Sequence, residues 1–191
     1  MVETLVAMRN AVLFAGVLVA AAAVSGCSSP QAAPVTSTTP APTSSSTAAP
    51  TTTSAVAPAD PVAAATGQCP YLSSDFVADA NGEKVTKVMI SADQPHPACF
   101  FYSFGNDKQL TVQVYVGSAG AATALVNKAA PIETSDKADL PGGWSGGSEA
   151  TATGAVFAVS KGGSAVVAVT DQKQTIKAKQ VVKQAIAALG L

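Results

Sequence analysis

Residues 67–191 switch repeatedly between two hydrophobic periods, one of about 3.6 residues and one of 2. Leu72, Phe76, Val77 and Ala80 share a helical side; Ser73 or Ser74 can cap that helix, and Asn81-Gly82 ends it. Residues 84–91 (KVTKVMIS) predict a strand, Pro95-His96-Pro97 a turn, and residues 98–104 (ACFFYSF) a second, aromatic strand. Gly105-Asn106-Asp107 is a turn. Residues 110–116 then alternate Leu110, Val112, Val114 and Val116 with Thr111, Gln113 and Tyr115, the mark of a half-buried strand. Ser118 caps a helix running to Ala130, with Ala121, Ala122, Leu125, Val126 and Ala129 along one side, and Pro131 stops it. Residues 131–153 show neither period and predict a long irregular stretch around Pro141-Gly142-Gly143-Trp144-Ser145-Gly146-Gly147. Residues 155–160 and 165–170 predict a hairpin across Lys161-Gly162-Gly163. Asp171 stands where it can cap a last helix, whose stripe is Ala178, Val182, Ala185, Ile186 and Leu189. The expected order is α-β-β-β-α-β-β-α. This predicts an α+β domain with a single antiparallel sheet of about five strands and helices packed on one face.

The pattern before residue 67 is different. Residues 11–24 (AVLFAGVLVAAAAV) are apolar without a break and follow Arg9, as the core of an export signal does. The run is shorter than the roughly 20 residues of a spanning helix. Residues 28–66 are almost wholly Ser, Thr, Pro, Ala and Val, with Asp60 as the one charge. Such a composition buries too little apolar surface to offset its ordering entropy and predicts a disordered, Pro-stiffened tether. Extended at about 3.1 Å per residue, it reaches on the order of 120 Å. Its Ser/Thr-Pro texture suits O-glycosylation, and a bare linker explains it as well.

Val24-Ser25-Gly26-Cys27 resembles the bacterial lipobox. The resemblance implies that Cys27 is lipidated, that residues 1–26 are a lipoprotein signal peptide, and that residues 27–66 tether a domain at 67–191. It places the protein on the extracytoplasmic side of the cell membrane, held by its lipid anchor, since two or three acyl chains hold stably where one is marginal. The plainer alternative is a secreted protein with an incidental Cys27. With Cys27 committed to lipid, Cys69 and Cys99 remain as a pair, and outside the cytoplasm such a pair predicts a disulfide. Cys-Pro-Tyr-Leu at 69–72, Ala-Asn-Gly at 80–82, Ala-Cys-Phe-Phe-Tyr at 98–102 and Val-Tyr-Val-Gly at 114–117 are similar to an uncharacterised family of mycobacterial and related actinobacterial envelope lipoproteins. That resemblance implies host and compartment, and no chemistry.

Charge narrows the function classes. Arg9 is the only arginine among 11 basic residues, so ten lysines face the eleven acidic residues left once Glu3 is set aside. Without a basic surplus or guanidinium forks, nucleic-acid binding is not expected. His96, the single histidine, sits between prolines, and no Gly-x-Ser-x-Gly elbow accompanies it. No spacing of His, Cys and carboxylates suits a metal, and no cofactor is expected. The pairs Asp75/Asp79 and Asp136/Asp139 suit acid/base work or, equally, a solvated surface. Trp144, between two Gly-Gly pairs, is either a mobile aromatic anchor or packed on the core edge. Phe101, or else Phe100 with Tyr102 and Phe104, must face away from the helices. The aromatic residues on that open face lie under the long loop or form a patch for a partner. The expectation is a non-catalytic binding or docking domain with a protein or lipid partner in the envelope; a carrier or sensor of an apolar ligand is the alternative.

Overall fold

The structure, a computed structural model, describes residues 55–191; Cys27, the expected signal and most of the expected tether lie outside them. Eight strands form one sheet: β1 (Ala65–Thr66), β2 (Lys87–Ile90), β3 (Cys99–Tyr102), β4 (Lys108–Val116), β5 (Asp136–Leu140), β6 (Trp144–Thr151), β7 (Gly154–Lys161) and β8 (Ser164–Thr170). Their order across the sheet is β1-β2-β3-β4-β8-β7-β6-β5, and every neighbouring pair is antiparallel. Three helices complete the fold: α1 (Ser74–Asn81), α2 (Ala119–Ala129) and α3 (Thr175–Leu189). The expected five-stranded sheet and its element order are thus corrected. The added strands are β1, β5 and β6.

Weak local propensity hid all three. β5 is DKADL and β6 is WSGGSEAT, with hardly a β-branched residue between them. They are strands because β6 pairs along its length with β7. The stretch expected to be irregular is therefore mostly a hairpin. Its turn needs two consecutive left-handed residues, supplied by Gly142 (φ 85°) and Gly143 (φ 86°).

The helices do not share one face, which is a second correction. Phe157, Val159, Val166 and Ala168 pack with Val77 of α1 and with Ala178, Val181, Val182 and Ala185 of α3. Their neighbours Val156, Ala158, Ala165 and Val167 point the other way, against Ala122, Leu125 and Val126 of α2. Side chains alternate along a strand, so a strand covered on both sides is apolar throughout. The runs AVFAV at 155–159 and AVVAV at 165–169 have that character.

Helix ends follow ordinary chemistry. The Ser73 hydroxyl accepts from the Phe76 amide and caps α1, which Gly82 closes. The Ser118 hydroxyl accepts from the Ala121 amide and caps α2. Asp171 does not cap α3; that position falls to Gln174, whose side chain makes no capping bond. Cys69 is bridged to Cys99, with 5.6 Å between their α-carbons, so the entry to the domain is fixed to β3.

Residues 55–66, assigned to the tether by composition, are part of this architecture. The Ala64 amide donates to the Ile90 carbonyl and the Gly67 amide to the Val88 carbonyl, on either side of the β1–β2 pairing. The ordered fold thus begins before residue 67.

Candidate functional site

The α2 face of the sheet is not fully covered by its helix: Val169 on that face stays exposed. Beyond α2, the surface of β3 and β4 meets the segment 55–64, which we call the strap. Ala55 lies against Gly120 near the start of α2. The Gln113 side-chain amide donates to the Ala59 carbonyl at 3.1 Å, and the Lys128 ammonium donates to the Asp60 carboxylate at 2.7 Å. The strap thus runs along α2, passes over β4, and joins the outer edge of β2.

Between strap, helix and sheet lies a cavity of about 390 Å³ that opens to solvent. Phe100 of β3, Thr111 and Gln113 of β4, and Val167 and Val169 of β8 line its sheet side. Leu125, Lys128 and Ala129 of α2 form one wall, and Asp60 and Pro61 of the strap the other. Lys108, Thr153 and Asp171 also line it. Val169 is 48% exposed within this space. Cavities of this size with an apolar lining and a few charged groups are the usual form of a small-molecule site.

The residues singled out from sequence fall in different places. Phe101 is fully buried under α1 and α3. Phe100 points to the opposite face and is also buried, at 4% exposure; it shares the cavity with the strap, not with residues 131–153. Tyr102 is half-buried beside Lys87, whose ammonium lies 4.2 Å from its ring centre. Trp144 begins β6 and is 3% exposed in the core, with the Lys161 ammonium 5.1 Å from its ring. The structure therefore brings Phe100 to the cavity and leaves Phe101, Tyr102 and Trp144 outside its lining.

His96 lines a second cavity of about 470 Å³ on the far side of the strap, together with Ser91 and Asp93. The Ser91 hydroxyl accepts the Ala98 amide at 2.8 Å and closes its own loop. Among the described residues no group of three His, Cys, Asp or Glu side chains could hold a metal ion. Asp139 pairs with Lys137 on the surface.

Sequence reasoning missed a buried polar knot at one end of the cavity. β3 and β4 change register between Phe101, paired to Leu110, and Tyr102, paired to Lys108, which leaves Gln109 as an extra residue. Gln109 is fully buried. The Asn81 amide donates to Gln109 Oε1 at 3.0 Å and to the Asp171 carboxylate at 3.2 Å. Thr170 Oγ1 donates to Asn81 Oδ1, and Lys177 of α3 donates to the Asn81 carbonyl at 2.6 Å. Asp171 thus holds a cavity end and the knot together, and Lys177 reaches into the knot from α3. Ala-Asn-Gly at 80–82 was the signal, legible as a helix end but not as a hub.

On the entry side, Tyr71 donates to the Pro97 carbonyl at 2.9 Å beside the disulfide, and burial pushes its phenol far above its ordinary value.

Strap, cavity and knot all lie inside one matched span: residues 52–191 match the family described as "Domain of unknown function (DUF2020)". The chain belongs to this family. The match takes in the whole strap, so the DUF2020 domain starts where the structure places the fold, ahead of Gly67. No curated protein matches the chain in sequence. Among the described residues of the DUF2020 domain, no helix is long and apolar enough to cross a membrane.

Proposed function

We propose that the chain is a lipoprotein held at the extracytoplasmic face of the cell membrane through Cys27, and that its DUF2020 domain is a non-catalytic binding module. Its site is the strap cavity, and its ligand is a small molecule with an apolar body, which the domain carries or senses. The observation that supports this is the cavity itself, whose apolar surface, Val169 above all, lies open beside a covering segment. Docking through exposed aromatic residues is less well supported, because Phe100, Phe101 and Trp144 are buried and, of the aromatic residues singled out from sequence, Phe104 alone is exposed, at 70%.

Native mass spectrometry tests the reading. The purified chain is exposed to a lipid extract of its own cell envelope and washed. A discrete added mass is expected, and it is lost in Val169→Trp, which fills the cavity from its solvent-exposed side. A clean apo mass for the native chain, or an adduct that survives Val169→Trp, overturns it. The anchor has its own test: Cys27→Ala should release the protein from the membrane fraction, and unchanged fractionation would count against lipidation.

A further inference from the structure

The cavity carries four charged groups. Lys108 and Lys128 face Asp60 and Asp171 across an otherwise apolar and hydroxyl-bearing lining. The two carboxylates differ in what holds them. Asp171 accepts from Asn81 and from Gln172 and belongs to the knot. Asp60 sits on the strap, and its ion pair is with Lys128, at 2.7 Å. That pair is exposed: the Asp60 side chain keeps 80% of its accessible surface and Lys128 keeps 43%. Exposed pairs contribute little to stability and are readily exchanged for another partner.

We propose that Asp60 holds the place of a ligand's anionic headgroup on Lys128, so that the cavity takes a single-chain anionic amphiphile whose headgroup displaces the strap. This rests on the cavity being the binding site. Lys128 stands on α2 at the cavity wall, one residue before Ala129 and one helical turn after Leu125, so a head on its ammonium directs an aliphatic chain along apolar lining. With Asp60 withdrawn, the remaining charges are two lysines against the single carboxylate of Asp171. A carboxylate or phosphate head is then favoured and a cationic head opposed. Among the described residues the strap is held to the rest of the wall by few side-chain ties, the Asp60–Lys128 pair and the bond from Gln113 to the Ala59 carbonyl, so it is the element best placed to yield. Binding of an anionic head and strap release are thereby linked, and removing the Asp60 carboxylate raises affinity for that head.

The test uses the purified full chain and three ten-carbon amphiphiles below their micelle concentrations: decanoate, decyl glucoside and decyltrimethylammonium. Calorimetry gives affinity, and hydrogen exchange at residues 55–64 reports the strap. Decanoate should bind roughly tenfold tighter than the glucoside, the scale of one charge-assisted hydrogen bond, and should speed exchange in the strap. Asp60→Asn should tighten decanoate binding further and leave the glucoside unchanged. Lys128→Met should erase the difference between decanoate and glucoside. Equal binding of the three heads, or a preference that survives Lys128→Met, overturns the inference and leaves the cavity reading in place. If none of the three binds, the cavity reading falls with it.

Discussion

Asn81 occupies a demanding position. Its amide and carbonyl oxygen serve Gln109, Asp171 and Thr170 at once, inside the fold. Replacing it with alanine takes the donor from buried Gln109 Oε1 and the acceptor from the buried Thr170 hydroxyl, while Gln109 Nε2 keeps the Lys84 carbonyl and Thr170 Oγ1 still accepts from the Gln172 amide. Asn81→Ala should lose about 2–3 kcal/mol, the cost of stranding buried polar groups, and the urea midpoint checks this. Tyr71 gives a pH signature. Its phenol is raised in the fold, so the unfolded chain gives up that proton first as pH climbs past about 10. The tyrosine's contribution is complete below that pH and drains away above it. Tyr71→Phe should flatten this alkaline loss, seen in thermal melts from pH 8 upward, at a cost near neutrality of about 1 kcal/mol for the hydrogen bond to Pro97. Little of this was legible beforehand. Asn81 and Gln109 look like a helix end and a turn neighbour, and only the register shift between β3 and β4 brings them together.

At the level of elements, the legible parts were those with their own propensity. α1 and α2 carry serine caps and clear apolar sides, and the β7–β8 hairpin carries Lys161-Gly162-Gly163. The β5–β6 hairpin was illegible because Gly146 and Gly147 replace the residues a strand normally shows. A Cβ on Gly147 would approach Ala130 and Ser135 to 3.0 Å, so close packing fixes the residue there. The runs AVFAV and AVVAV have the composition of strands covered on both faces, against the expectation that all the helices share one face. The strap was hidden by composition, since Ala, Pro and Val without a period read as linker. Its removal is informative: a chain starting at 67 should be less stable than one starting at 55 by about 2 kcal/mol, the scale of re-exposing one large apolar side chain such as Phe100. Equal urea midpoints would place the strap outside the cooperative fold. The Cys69–Cys99 bridge closes a separation of 30 residues. Reducing it should lower stability by about 3–4 kcal/mol in the chain-entropy picture, read as a fall in Tm with reductant.

For the whole molecule, the sheet is two meanders, β1 to β4 and β5 to β8, joined where β4 pairs with β8. The cavity lies over that seam on the α2 face, so both halves and the strap build it. No single stretch of sequence could reveal such a site. Its parts come from residues 60, 100, 111, 128 and 169, and none of them forms a motif with its neighbours. Hydropathy located many of the core residues but assigned them to one face of the sheet rather than two, and the space between strap and sheet follows from how the first residues of the domain return over it.

The bridge also sets how the domain answers force. A pull delivered from the N-terminal side first lifts the strap, parting Asp60 from Lys128, and then peels β1 from β2 one hydrogen bond after another. Three residues past Thr66 it reaches Cys69, where covalent attachment to Cys99 passes the load into β3, an inner strand of the sheet. Peeling stops there. Under tension applied at residue 55 the domain should give up its strap first, opening the cavity while the bridged fold holds.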